Sequence, residues 1–136
     1  MSTDKSFYGE WAAQRIASES IDYCITDYWP IPFMIDNKIA AVVIYSHFQK
    51  PDVTVHVASD NPHWATPGRV KKAFGYPFTQ GYKRITAFIE KRNKRARKFA
   101  EGIGFVYEGN KRNARENDDL IMYGMTLKDW RAKWDS

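Results

Sequence analysis

A chain of 136 residues is long enough for one domain with a buried core, and a hydrophobic fraction of 43% suits a globular protein. The net charge of +5, from 21 basic and 16 acidic side chains, favours an anionic partner but is too modest to establish nucleic-acid binding. A lone cysteine, Cys24, excludes an intramolecular disulfide and reads as a packing residue of a reducing compartment. No stretch approaches the ~20 apolar residues that cross a bilayer, and residues 1–6 carry no apolar run after a basic start. The expectation is a cytoplasmic protein without a signal peptide or membrane span.

No internal repeat or linker interrupts the sequence, so residues 1–136 read as a single domain. Ser6 is placed to cap a first helix, with Phe7, Tyr8, Trp11, Ala12 and Ile16 at the spacing of one face and an end near Ser18 to Ser20. Ile21 to Pro32 is aromatic, contains Pro30 and Pro32, and reads as an irregular connection. Phe33-Met34-Ile35, the turn-type residues Asp36-Asn37-Lys38 and the strand from Ile39 to Phe48 then predict a hairpin. After a turn at Gln49 to Asp52, Val53 to Ala58 alternates as a third strand.

Thr66-Pro67 marks a helix start, Thr as cap and Pro where its missing N–H costs nothing. Val70, Ala73 and Phe74 form its buried stripe until Gly75 and Pro77 interrupt it. Tyr82 to Glu90 reads as a strand, and Lys94 to Gly102 as a basic helix. Phe105 to Tyr107 and Leu120 to Met125 read as paired strands around a polar, charged loop, with a short helical turn from Lys128 to Trp134. A helix between two strands is the pattern of a parallel crossover, and a mixed sheet with helices on its faces closes such a chain.

Two places carry chemistry. At the helix start, Thr66 to Val70, exposed N–H groups and the positive end of the helix dipole suit a phosphate. Arg69, Lys71 and Lys72 add positive charge there. An ordinary capped helix with a solvated basic face is the competing reading of the same residues. The second place runs from Asn93 at a strand end, through Ala96 and Phe99, to Gly104-Phe105 opening the next strand, followed by Glu108-Gly109.

This second segment resembles the GCN5-related N-acetyltransferase (GNAT) family, and the element order of residues 33–126 is similar to that fold. The resemblance implies an α/β (α+β) architecture: a mixed, largely antiparallel sheet with a central splayed parallel strand pair and helices on both faces. It implies acetyl-CoA in the V between the splayed strands, with pantetheine along Val53 to Asp60, Val57 and Ala58 included. The pyrophosphate would lie on Thr66, Gly68, Arg69, Val70, Lys71 and Lys72. Asn93 would contact the cofactor arm or order the loop near it, with Phe99 in the same motif. The basic run Lys91 to Lys98, Arg97 included, reads as a solvated helix face, or else as contact with the cofactor's 3′-phosphate or attraction of an acidic substrate or nucleic acid.

Two departures from the family are visible. Its phosphate loop usually reads Arg or Gln, two spacers, Gly, a spacer, then Gly or Ala, whereas His63-Trp64-Ala65-Thr66-Pro67-Gly68 supplies one glycine. The Tyr that many members place four residues before the Gly of Gly-Phe is Ala100 here.

Acyl transfer to an amine needs positioning, oxyanion donors and proton removal. His56, central on the predicted splayed strand, is the first candidate base, since an imidazole titrates near pH ~6.5. A satisfied sheet histidine is its other reading. Asp60 is the second candidate base, and Tyr107 and Tyr123 are candidate acids whose other reading is core or surface packing. His47 and His63 form no ligand grouping with these, so no metal is expected. The resulting expectation is an N-acetyltransferase using acetyl-CoA, with an amine acceptor that the sequence does not identify. An inactive acetyltransferase-like binding module and a small basic nucleic-acid-binding protein are the alternatives.

Overall fold

The computed structural model describes residues 5–15 and 27–134. In chain order they form α1 (Lys5–Ala13), β1 (Tyr28–Ile35), β2 (Lys38–Gln49), β3 (Asp52–Ser59), α2 (Pro67–Thr79), β4 (Arg84–Glu90), α3 (Lys94–Ile103), β5 (Val106–Arg115), β6 (Asp118–Thr126) and α4 (Leu127–Trp134). A 3₁₀ turn, Pro62–Trp64, precedes α2. The strands make one six-stranded sheet of order β1-β2-β3-β4-β6-β5. Every neighbouring pair is antiparallel except β3–β4, the strands joined by the α2 crossover. This is the mixed sheet with a central parallel pair that the sequence led us to expect.

The two sheet faces carry different cores. On one, Tyr45, Val53, Val55, Ile85, Tyr123 and Met125 pack beneath α2, α3 and α4, joined by Phe74, Ile103 and Trp130. On the other, Val42, Ile44 and Ala58 meet Ala12 of α1. Trp64, in the 3₁₀ turn, is buried against Phe33 (ring centroids 5.1 Å apart) and Phe99 (6.1 Å), and so ties β1 to α3.

The hairpin turn is as the residues require: Asp36 and Asn37 both have positive φ, 51° and 65°, the backbone of a two-residue turn that twists with its strands. Elsewhere the structure corrects the sequence reading. Ser6 lies inside α1 rather than capping it, and α1 ends at Ala13, well before Ser18. Ile16 and residues 18–26, with Cys24, fall outside the described residues.

Tyr28 to Pro32 is not irregular but the start of β1. Pro30 and Pro32 are tolerated because β1 is an edge strand, and alternate residues there turn their backbone nitrogens away from β2.

The α2 helix runs straight through Gly75 and Pro77. Gly75 is needed for close approach, since a Cβ there would meet Trp130 Cζ2 at 2.9 Å. Pro77 removes the N–H that would bond to the Ala73 carbonyl, and the buried Tyr45 hydroxyl donates to that carbonyl instead, at 2.7 Å. The polar stretch after Tyr107 is not a loop: β5 continues to Arg115 and pairs with β6 around the tight turn at Glu116-Asn117. At the end of α3, Gly104 adopts φ 128°, a backbone that favours glycine, and the Gly104 and Phe105 amides both donate to the Ala100 carbonyl.

Candidate active site

The parallel contact between β3 and β4 lasts only three residue pairs, Asp52↔Arg84, Val53↔Ile85 and Thr54↔Thr86. Beyond them β3 stays paired to β2 as far as Ser59, and β4 to β6 as far as Glu90, so each strand follows its outer neighbour and the two diverge. Side chains lock the vertex. Thr86 Oγ1 donates to Asp52 Oδ1 (2.8 Å), Arg84 Nε reaches Thr86 Oγ1 (2.9 Å), and the Arg84 guanidinium forms a forked pair with Glu108 (3.0 and 2.5 Å).

A cleft of about 370 Å³ occupies the V. Residues 55–57 of β3 and 87–90 of β4 form its sides, and the Ala96, Phe99, Ala100 and Ile103 face of α3 closes it with Phe74 of α2. The buried side chains of its lining are apolar, and the polar ones, Arg15, His56, Glu90, Asn93 and Arg115, are more exposed.

Asn93 caps α3, its Oδ1 accepting from the Ala96 amide at 3.2 Å. That leaves the side-chain NH₂ as the part that can address a ligand. Arg15 donates from Nε to Asp60 Oδ1 at 2.7 Å and from Nη1 to the Trp11 carbonyl, and its guanidinium lies 3.7 Å from the centroid of the Trp11 ring. The hydrogen bond from Arg15 holds the Asp60 carboxyl below its ordinary range, which keeps it ionised and weakens it as a base. Glu90 Oε2 stands 3.9 Å from Arg115 Nε.

The start of α2 lies outside the cleft lining. Its amides are largely engaged. His63 N–H donates to Asn61 Oδ1, Trp64 to the Asn61 carbonyl, Ala65 to Pro62, Thr66 to Trp64, and Arg69 to Thr66 Oγ1. Pro67 has no N–H, so the Gly68 amide is the donor left at this end. A Cβ on Gly68 would meet nothing within 4 Å, so the approach to it is open. The Arg69 guanidinium folds back onto the His63 and Trp64 carbonyls (3.4 and 3.5 Å), while Lys71 and Lys72 are exposed. Val70 and Ala58 are buried core side chains, and the Val70 N–H donates to the Thr66 carbonyl at 2.9 Å.

Of the residues singled out in the sequence, His56, Val57, Asn93 and Phe99 come together in the cleft. Tyr107 and Arg97 do not line it. The Tyr107 ring sits edge-on to Tyr123, and Arg97 Nε donates to the Tyr123 hydroxyl (3.1 Å), which itself donates to Glu101 Oε2 (2.7 Å). Burial first, then the Glu101 carboxylate, raises the Tyr123 pKa against the pull of Arg97. The residues missed were Arg15, Glu90 and Arg115, charged groups at the far ends of α1, β4 and β5 that meet only through the sheet order. The register of β4 could have suggested Glu90, which closes a strand beside Asn93. Nothing local marks the other two.

No family model matches the chain, and no curated protein matches it. Solved structures do match, at low identity. A protein from T. thermophilus assigned as an acetyltransferase superposes with a TM-score of 0.68 at 16% identity over 80% of this chain, which spans 64% of that protein's length. The ribosomal-protein-S18-alanine N-acetyltransferase from Escherichia coli gives 0.67 at 16%, covering 93% of this chain and 90% of its own. An acetyltransferase of the GNAT family from Streptococcus pneumoniae gives 0.59 at 20%, over 69% of this chain and 63% of its own. The class these likenesses define is structural: the chain has the GNAT acetyltransferase fold, with the splayed β3–β4 pair at its centre.

Proposed function

We propose that residues 1–136 form a single-domain N-acyltransferase that moves an acyl group, acetyl in the simplest case, from its CoA thioester to an amine. The observation that carries this reading is the three-pair vertex between β3 and β4, with a cleft opening beyond it. Parallel strands that part in mid-sheet stop pairing with each other along their inner edges. Backbone N–H and C=O groups demand partners, and a pantetheine arm with two amides can supply them.

Each part of the site then has a task. The inner edge of β3 around Val57 and Ala58 binds the arm and presents an N–H to the thioester oxygen as it gains negative charge. The Gly68 amide, the α2 dipole and the nearby Lys71 and Lys72 take the pyrophosphate. The Asn93 NH₂ orients the arm from the opposite side. His56, which lines the cleft, removes the proton from the attacking amine. It is preferred to Asp60, which is held ionised by Arg15. Tyr107, outside the cleft lining and packed against Tyr123, takes no part as an acid without movement. No helix is long and apolar enough to cross a membrane, among the described residues.

Calorimetric titration with CoA and acetyl-CoA tests the donor site, and release of CoA thiol in the presence of a panel of amines tests transfer. Saturable binding below millimolar with amine-dependent thiol release is the expected result. Absence of binding at millimolar CoA would remove the reading. Binding without thiol release for any amine would leave a CoA-binding module.

A further inference from the structure

The lining of the V divides by sheet face, because successive residues of a strand point to opposite sides. Val55, Val57, Ala87 and Ile89 share the side of α2 and α3, while His56, Phe88 and Glu90 share that of α1. His56 and Phe88 each follow the last rung, Thr54↔Thr86, on this second side, so they flank the gap from opposite strands. Arg15 joins them from the end of α1, and Arg115 stands 3.9 Å from Glu90. Among the described residues, the charged side chains of the lining thus gather on the α1 side.

The α2 helix start, with Gly68, belongs to the other side of the sheet, so phosphates held there leave the α1 side to the acceptor. Arg15 is the group on that side whose bonding is incomplete. Its Nε donates to Asp60 Oδ1 (2.7 Å), its Nη1 to the Trp11 carbonyl (2.8 Å), and its guanidinium stacks 3.7 Å from the centroid of the Trp11 ring. Nη2 makes no bond among the described residues, so both its N–H groups remain to be used. The side chain is 29% exposed. A guanidinium held this way has already given up its rotamer freedom, so a planar anion binds it at little further entropic cost. Glu90 in the same lining opposes a dianion, which makes a single carboxylate the better match. Phe88, 41% exposed, offers a carbon surface beside His56.

We propose that the acceptor is an amino acid in the broad sense, an amine that also carries a carboxylate. The carboxylate lies on Arg15, the carbon skeleton over Phe88, and the amine at His56. This proposal rests on the acyltransferase reading and specifies its acceptor. In the transfer, the amine nitrogen bonds to the acyl carbon and the C–S bond breaks. The nitrogen loses one proton to His56, and the departing thiolate takes one to become the CoA thiol. Arg15 takes no part in the bond changes, so it acts on binding and selection.

The test is thiol release from acetyl-CoA with acceptors that differ in the carboxylate: phenylalanine against phenylalaninamide and phenethylamine, and 6-aminohexanoate against hexylamine. Phosphoethanolamine supplies a dianion for comparison. With kcat/KM taken per unprotonated amine, the acid should be preferred by about tenfold or more in at least one set, the effect of a hydrogen bond to a charged group. Arg15→Met should erase that preference through a higher KM for the acid. Arg15→Lys, which keeps the charge without the fork, should restore part of it, and supplies a second variant if the first does not fold.

Amines without a carboxylate, or phosphoethanolamine, used as well as the acids throughout would overturn the proposal and leave the acyltransferase reading standing. A preference for the acid that survives Arg15→Met unchanged would do the same. Thiol release with no amine at all, or failure to bind CoA, would overturn both.

Discussion

Tyr45→Phe removes a single oxygen from the core and should be felt through α2. The Tyr45 hydroxyl is the donor that replaces the N–H missing at Pro77, reaching the Ala73 carbonyl at 2.7 Å from a side chain 1% exposed. Without it, that carbonyl is buried with neither a helical partner nor water. Leaving a buried acceptor unsatisfied costs about 1–3 kcal/mol. At about 2.1 cal/mol/K per residue, 136 residues give an unfolding entropy near 0.29 kcal/mol/K, so the melting temperature should fall by roughly 4–10 °C.

Pro77→Ala restores a backbone donor to the same carbonyl and makes the hydroxyl redundant. Thermal unfolding of the four chains of this double-mutant cycle should therefore show a smaller loss for Tyr45→Phe in the Pro77→Ala background. An equal loss in both backgrounds, or none in either, would refute the claim that Tyr45 substitutes for the missing amide.

Three further predictions address the site. Asn93→Asp should melt within a degree or two of wild type, because Asp caps about as well as Asn, yet bind CoA clearly more weakly through loss of the NH₂ and added negative charge. Asn93→Ala should be destabilised by ~1 kcal/mol, and normal CoA binding by Asn93→Asp would reduce this residue to a cap. Gly68→Val should fold, since nothing lies within 4 Å of an added Cβ, and should weaken CoA binding measured by calorimetry. Unchanged affinity would move the pyrophosphate elsewhere. His56→Ala should lower the rate of thiol release more than it changes the Kd for CoA, and an unaltered pH–rate profile in the variant would eliminate His56 as the base.

What was legible in the sequence was punctuation with one structural meaning. Asp36-Asn37 could be little but a tight hairpin turn, Thr66-Pro67 a helix start, and Asn93 with Gly104-Phe105 the two ends of one helix. What misled were signals that tertiary contacts overrule. Pro77 usually stops a helix, but Tyr45, 32 positions earlier on a central strand, answers its missing bond. Pro30 and Pro32 usually break strands, but an edge strand has one side with no ladder to break. Residues 108–115 lack apolar alternation because β5, the other edge, has little of either face buried, so no pattern marks it as a strand. The cleft followed the same division: His56 and Asn93 were visible because they sit on recognisable elements, while Arg15, Glu90 and Arg115 depend on which element ends gather at one mouth.

The short vertex between β3 and β4 makes the sheet two three-stranded rafts hinged along one edge. Each raft is laddered within itself, with bulges, β1-β2-β3 on one side and β5-β6-β4 on the other. Across the hinge there are three residue pairs and the Asp52–Thr86–Arg84–Glu108 relay. In the proposed function, a molecule seated in the gap would supply rungs that the polypeptide itself omits, and the ligand would be the strand that completes an unfinished sheet.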